Sequence, residues 1–180
     1  GELYEFTAKD WSELLEAQPQ LADEAKKYSS GWAGLLCIKP EIADKCDMFE
    51  LFDSEDWSNL LSKHPQFADK CNKWEELDEQ DWANLLSEKP QFADKCNWDS
   101  LKGIGWCRLL ATQPQFADKC DWRKLDSNTY HWFKLLQDQP HFADKCDKWD
   151  EFDEYEKEAL IEEHPDLAKY FSEKIELKAV

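Results

Sequence analysis

Large apolar residues recur along the chain at helical spacing, and the pattern is clearest between Asp53 and Asp78. Trp57, Leu60 and Leu61 follow one another at i, i+3 and i+4, which places them on one face of an α-helix. Asp53 or Ser54, both of which precede this run, is a good N-cap, because either side-chain oxygen can accept hydrogen bonds from the first free N–H groups of a helix. The pattern predicts an amphipathic helix that buries its Trp and Leu side chains against a neighbour.

A proline separates this helix from a second, shorter apolar cluster. Pro65 pushes the residue before it out of helical geometry and is well suited to the first position of a new helix. Phe67, Ala68 and Cys71 then lie on one side of that short helix. The residue after it, Asn72, is suited to a left-handed or capping conformation.

A final apolar pair closes the segment. Trp74 and Leu77 are three residues apart, which fits a single helical or 3₁₀ turn, and Asp78 then caps the next Trp-containing helix. Strands are not favoured, because no stretch of the chain alternates apolar and polar residues and β-branched residues are scarce. The pattern is therefore a longer helix, a short proline-started helix and a turn.

The same pattern occurs seven times. The prolines mark it at steps of 21, 25, 25, 24, 26 and 25 residues, and all seven prolines of the chain are used in this way. They are Pro19, Pro40, Pro65, Pro90, Pro114, Pro140 and Pro165. A fixed period of this size is typical of stacked repeats that bury their apolar faces against one another. The sequence predicts an all-α fold, an α-solenoid of seven repeats of about 25 residues.

The repeats are predicted to form a single domain over residues 1–180. Residues 1–28 are expected to be an N-terminal cap with a tighter connection, residues 29–150 the regular repeats, and residues 151–180 a C-terminal cap. The last repeat has Lys157, Lys169 and Phe171 where other repeats have Trp, Asp and Cys. A terminal repeat needs a polar outer face because no neighbour covers it. The tail 172–180 is expected to continue the capping helix.

The motif Pro-x-Phe-Ala-Asp-Lys-Cys is seen from Pro65 to Cys71 and is flanked by Trp-x-x-Leu-Leu. Together these motifs resemble tandem short-helix repeats of uncharacterised bacterial and phage-like proteins. This resemblance covers nearly the whole chain and brings no known activity. The period is also similar to that of leucine-rich-variant solenoids. That similarity implies a right-handed superhelix.

Two sets of residues occupy fixed repeat positions and are interpreted as a structural ladder. The Trp column is in register with the Leu pairs, which favours a place in the core over an exposed aromatic platform. Equivalent atoms of stacked helices lie about 8–10 Å apart, too far for the roughly 7 Å limit of a disulfide. Free thiols predict a reducing, cytoplasmic location. The ladder comprises Trp11, Trp32, Trp57, Trp82, Trp106 and Trp132, with Cys46, Cys71, Cys96, Cys120 and Cys146.

Candidate catalytic or metal chemistry is absent from the sequence pattern. There is no Cys-x₂-Cys motif, and the four histidines do not pair with cysteines at ligand spacing. No Ser/His/Asp or Cys/His constellation stands apart from the repeats, and there is no glycine-rich phosphate loop. The expectation is a protein that is not an enzyme and that uses no cofactor or metal.

Acidity is the one global feature that suggests a function. Asp and Glu number 40 against 22 Lys and Arg, for a net charge of −18. This disfavours direct nucleic-acid binding, which needs cationic side chains. No apolar run reaches the roughly 20 residues of a membrane span. The protein is expected to be a monomer that binds a protein partner with a basic surface. The candidate contact residues are Asp147, Asp150, Glu151, Asp153, Glu154, Glu158, Glu162 and Glu163.

Three functions are compatible with these features. The leading hypothesis is a non-catalytic protein–protein interaction module, because repeat arrays present extended binding surfaces. The alternative is a phage-type inhibitor that mimics nucleic acid and occupies the groove of a DNA- or RNA-binding enzyme. It requires the acidic residues to be sorted onto one face. The third is a Trp-based glycan or peptide binder, which requires several exposed tryptophans.

Overall fold

A computed structural model describes residues 5–125 and 129–171, and all regular structure in these ranges is helical. The described residues contain no strand, which confirms the predicted all-α class. The tail 172–180, predicted to extend the capping helix, lies outside the described residues.

The repeat has the predicted order of a longer helix, a short helix and a turn. Each of the seven longer helices has ten residues, and its fourth residue is the ladder Trp, or Lys157 in the last repeat. They are α1 (Ala8–Ala17), α3 (Ser29–Ile38), α4 (Ser54–Lys63), α5 (Glu79–Glu88), α6 (Gly103–Thr112), α7 (Thr129–Asp138) and α8 (Glu154–Glu163). A four-residue helix, α2 (Ala22–Ala25), follows the 3₁₀ helix of the first repeat, and residues 168–171 are likewise α-helical after the 3₁₀ helix of the last repeat.

Every repeat proline starts a short 3₁₀ helix. These helices are Pro19–Leu21, Pro40–Lys45, Pro65–Lys70, Pro90–Phe92, Pro114–Lys119, Pro140–Lys145 and Pro165–Leu167. Four closing turns are also 3₁₀, at Phe49–Leu51, Trp74–Glu76, Trp98–Ser100 and Trp122–Lys124. The three-residue helices have the usual length of 3₁₀ structure, whereas the four six-residue helices are longer than is common.

Aspartates cap three of the longer helices, α4, α5 and α8, and the predicted caps Asp53 and Asp78 are among them. The Asp53 carboxylate accepts a hydrogen bond from the Asp56 N–H at 2.8 Å, and the Asp56 carboxylate accepts one from the Asp53 N–H at 3.4 Å. This reciprocal pair is a capping box, and it satisfies two donors that a helix start leaves free. Asp78 caps α5 in the same way.

The left-handed exit suggested for Asn72 is wrong. The chain leaves the 3₁₀ helix through Cys71, whose φ of −72° and ψ of 120° are extended, and no described residue has a positive φ. Asn72 instead donates its side-chain amide to Glu50 Oε2 at 2.8 Å.

The chain forms two compact units, residues 1–97 and residues 98–180. In the first unit α3 packs on α4 and α4 on α5, while α1 lies against both α3 and α4. In the second unit α6 packs on α7 and α7 on α8. The Trp and Leu side chains of the longer helices form the core of each unit.

Within each unit, aromatic rings connect closing turns to the Trp-containing helix that follows. Trp74, in a closing turn, stacks on Trp82 of the following helix with ring centroids 5.9 Å apart, and it contacts Phe92 of the following 3₁₀ helix at 5.4 Å. The same three-ring contact recurs as Phe49–Trp57–Phe67, Trp98–Trp106–Phe116 and Trp122–Trp132–Phe142. Each helix on its own is too short to be stable in water, so these contacts hold the repeats in place.

A side-chain hydrogen bond also joins successive repeats. His64, the residue after α4, donates from Nε2 to the Cys37 carbonyl in α3 at 2.9 Å, because a carbonyl oxygen can only accept. His164 makes the same bond to Gln137 O at 2.8 Å, and Gln139 donates from Nε2 to Ala111 O at 2.8 Å. In all three cases the acceptor is the ninth residue of the preceding helix.

The last repeat closes its core with a different set of rings. Because Lys157 replaces the Trp of α8, Trp149 has no ladder ring to stack on. It stacks on Tyr170 with centroids 4.7 Å apart and meets Phe171 edge-on at 5.0 Å. The segment after α8 therefore covers the closing turn.

Unfolding of the protein is expected to depend on pH through Asp56. This carboxyl is 2% exposed, and burial, followed by repulsion from Asp53, raises its pKa from 3.8 to about 7. Burial also raises the pKa of Asp81. A carboxyl with a raised folded-state pKa stabilises the fold below pH 4, and this contribution is lost as the pH rises towards 7. The free energy of unfolding should fall by about 2 kcal/mol across this window, after allowance for the capping bond that favours the ionised form.

The measurement is urea unfolding at several pH values between 4 and 8 for the wild type, Asp56→Asn and Asp10→Asn. Asp10 holds the same third position in α1 but is exposed. Asp56→Asn should flatten the pH dependence and Asp10→Asn should not. Equal slopes for the two variants would show that Asp56 is not responsible.

Candidate functional site

The Trp column lies inside the two units. Trp11, Trp57 and Trp132 are 0% exposed, Trp82 and Trp106 are 1% exposed, and Trp32 is 5% exposed. These six side chains are therefore not an exposed aromatic platform. The indole N–H groups of Trp11, Trp57, Trp82 and Trp106 are buried with no hydrogen-bond partner among the described residues.

The cysteine column consists of free, half-buried or buried thiols. Burial raises the pKa of Cys46 and Cys71, and it raises the pKa of Cys96 and of Cys120 to about 12. A thiol acts as a nucleophile or metal ligand in its thiolate form, so these side chains are held in the unreactive state at neutral pH. Within residues 5–125 and 129–171, no group of three His, Cys, Asp or Glu residues could hold a metal ion.

A groove on α7 and α8 brings together three of the eight candidate acidic residues. Its volume is about 440 Å³. It is lined by Gln137, Tyr155, Glu158, Ala159, Glu162 and Glu163. All three carboxylates come from α8, in which Glu158 and Glu162 are four residues apart on one side and Glu163 is the last residue. We call this the acidic groove.

No ion pair with a described residue balances the carboxylates of the acidic groove, and the nearby Lys134 ammonium is bound to Gln137 Oε1 at 3.2 Å. Glu158 and Glu162 are exposed and form no ion pair with a described residue. Glu163 accepts hydrogen bonds from the Gln137 side-chain amide at 3.2 and 3.4 Å, which tie α8 to α7. Tyr155 is 75% exposed and adds a large aromatic surface beside the carboxylates. The carboxylates of such a site can accept hydrogen bonds from a cationic side chain, and the tyrosine ring can contact the apolar part of the same side chain.

The other five candidate acidic residues are exposed but lie outside this groove. Asp153 is the N-cap of α8, with its carboxylate 2.8 Å from the Glu156 N–H. Glu151 pairs with Lys148 at 2.9 Å and Glu154 with Lys157 at 3.8 Å. Asp147 and Asp150 precede the helix.

Sequence reasoning missed Tyr155 as a groove residue. It lies two residues before Lys157, which occupies the ladder Trp position, so its place in the repeat could be recognised from the sequence. A tyrosine at the second position of a helix is compatible with either burial or exposure, and the neighbouring helices decide between them.

A second, polar groove lies on α1, α4 and α5 in the first unit, with a volume of about 660 Å³. Two of its serines are buried and have structural partners. Ser12 Oγ donates to Lys9 O at 2.8 Å and Ser58 Oγ donates to Asp81 O at 3.1 Å. The second bond links α4 to α5, so these hydroxyls serve helix packing.

Comparison with protein-family models, with curated proteins and with solved structures found no match. Among the described residues, no helix is long and apolar enough to span a membrane.

Proposed function

We propose that this chain is a non-catalytic repeat scaffold that binds a protein partner, and that the acidic groove receives a basic segment of that partner. The observation that carries the proposal is the exposed ring of Tyr155 among three carboxylates, in a groove whose lining includes no cation. Repeat arrays offer extended surfaces of this kind. Because a fold alone does not assign a function, the proposal depends on the groove.

Arginine suits this groove better than lysine. Its planar guanidinium carries five N–H donors, matches carboxylates in a bidentate manner and stacks on aromatic rings. Glu158 and Glu162 are close enough to the Tyr155 ring to line the same groove. Each exposed ion pair contributes about 0–1 kcal/mol, so the affinity must come from several pairs acting together with the ring contact.

The test is titration of a hexa-arginine peptide into the full chain by calorimetry. Replacing Glu158, Glu162 and Glu163 by Gln should weaken binding by about tenfold, because three pairs are lost at roughly 0.5 kcal/mol each. A control variant with Gln at Glu5, Glu41 and Glu75 removes the same charge from exposed positions of the first unit. It should bind like the wild type.

The salt dependence provides a second readout. Binding at the acidic groove should weaken between about 0.05 and 0.5 M salt, since the Debye length shortens over this range. Equal loss of affinity in the two triple variants would mean that the peptide responds to net charge alone, and the groove would not be the site.

A further inference from the structure

Large exposed hydrophobic side chains are concentrated at one repeat position of the second unit. Among the described residues, Leu51, Ile104, Tyr130 and Tyr155 are the large hydrophobic side chains that remain exposed, at 66%, 50%, 53% and 75%. Three of them are the second residue of consecutive helices, α6, α7 and α8. We call Ile104, Tyr130 and Tyr155 the exposed stripe.

The fold does not require apolar residues at this position. The second residue is Lys9 in α1, Glu55 in α4 and Gln80 in α5, and all three are exposed. These helices have the same length as α6 and α7 and bury the same Trp and second Leu positions. An apolar side chain here is therefore not required for helix packing, and exposed apolar side chains at the same position of three successive helices provide a surface of the type used for binding.

Charge changes sign along the exposed stripe. Arg108 and Lys134 are the exposed sixth residues of α6 and α7, one helical turn beyond Ile104 and Tyr130. At the α8 end the same turn carries Ala159, with Glu158 and Glu162 beside it in the acidic groove. The stripe thus runs from a basic end to an acidic end.

We propose that the exposed stripe docks an amphipathic α-helix of the protein partner, with acidic residues at the α6 end and basic residues at the α8 end. The proposal rests on the proposed function and defines the partner segment more closely. Adjacent packed helices are about 8–10 Å apart, and residues one heptad apart on a helix are separated by about 10.5 Å. A helix of roughly 15 residues can therefore place three apolar residues on the three side chains of the stripe.

A helix fits this surface better than a strand. An added strand needs the free backbone groups of a sheet edge, whereas α6, α7 and α8 satisfy their own backbone and present only side chains. A docked helix also satisfies its own backbone, so burial of apolar area and pairing of charged ends supply the affinity.

The probe is a labelled 18-residue helical peptide with three Leu residues one heptad apart, Glu at one end and Lys at the other. A matched peptide has Ala in place of the three Leu. Fluorescence anisotropy with the full chain should show binding of the Leu peptide that is tighter by about tenfold or more, because each buried Leu contributes apolar area. Tyr130→Ala and Tyr155→Ala should each weaken the Leu peptide by about fivefold. Leu51→Ala removes an exposed side chain outside the stripe and should have no effect.

A charge reversal tests the direction of docking. Arg108→Glu should favour a peptide with Lys at both ends over the original peptide, reversing the wild-type order. Equal affinities of the Leu and Ala peptides, or equal loss in Leu51→Ala, would overturn the exposed stripe as the docking surface. Loss of self-association in Tyr130→Ala, seen by sedimentation without any change in peptide binding, would assign the stripe to a second copy of this chain instead. The hexa-arginine titration remains a separate test of the acidic groove, so the two proposals can fail independently.

Discussion

Trp82→Ala is expected to lower the free energy of unfolding by about 3–5 kcal/mol, which is the usual cost of removing a large buried aromatic side chain. Trp82 is 1% exposed and stacks on Trp74 from the preceding closing turn. Its removal leaves a cavity between two repeats and also exposes a face of Trp74. Because neighbouring repeats hold each other in place, the loss should affect the whole first unit.

Trp82→Phe is the matched control for this prediction. The indole N–H of Trp82 has no hydrogen-bond partner among the described residues, so Phe loses volume but no hydrogen bond. Its cost should be about 1–2 kcal/mol. Urea unfolding followed by circular dichroism measures both variants. If Trp82→Phe proves as damaging as Trp82→Ala, a polar contact of the indole must be involved, and the packing account fails.

Gly34→Ala should destabilise the protein by about 3 kcal/mol, at the upper end of the cost of overpacking. A Cβ at Gly34 would lie 2.5 Å from Trp11 Cβ, 2.7 Å from Ala8 O and 3.0 Å from Ser12 N. Two of these atoms are backbone atoms of α1, which cannot move aside as a flexible side chain would. The methyl group therefore has to push α1 away from α3.

Asn84→Ala is the control for Gly34→Ala, because Asn84 has the same sixth position in α5 and is exposed. It should change the free energy of unfolding by less than about 0.5 kcal/mol. Thermal unfolding and proteolysis at the N-terminal repeat measure the effect. A Gly34→Ala variant as stable as Asn84→Ala would mean that α1 can shift without cost.

The sequence allowed the repeat architecture to be predicted because each local signal was consistent with the next. Asp53 marked a helix start, the Trp57 and Leu60 spacing marked its buried face, and Pro65 marked its end. The exit at Asn72 was wrong, because a residue compatible with a left-handed turn does not have to adopt one. The extended Cys71 reverses the chain without it.

Two features of the candidate sites depended on tertiary packing. Asp10 and Asp56 occupy the same helix position, yet Asp56 alone of the two is buried, because other chain segments cover it. Tyr155 is exposed at the second position of α8, whereas Trp132 is buried at the fourth position of α7, where it stacks on Trp122. The acidic groove likewise required knowledge of which side of α8 meets α7. Residue spacing could identify the carboxylates of one helix but not the tyrosine and amide that complete the groove.

The hydrogen bond from His64 to Cys37 has a consequence for how such a chain can change in length. In this type of bond, the donor follows one ten-residue helix and the acceptor is the ninth residue of the helix before it. The sixth repeat contains both halves, because Gln139 donates to Ala111 O of the repeat before it and Gln137 O accepts from His164 of the repeat after it. Duplicating this repeat inserts a segment that already carries both halves of the connection. A copy of this sixth repeat can therefore be gained or lost through unequal recombination while the junctions on either side of it keep the hydrogen bond.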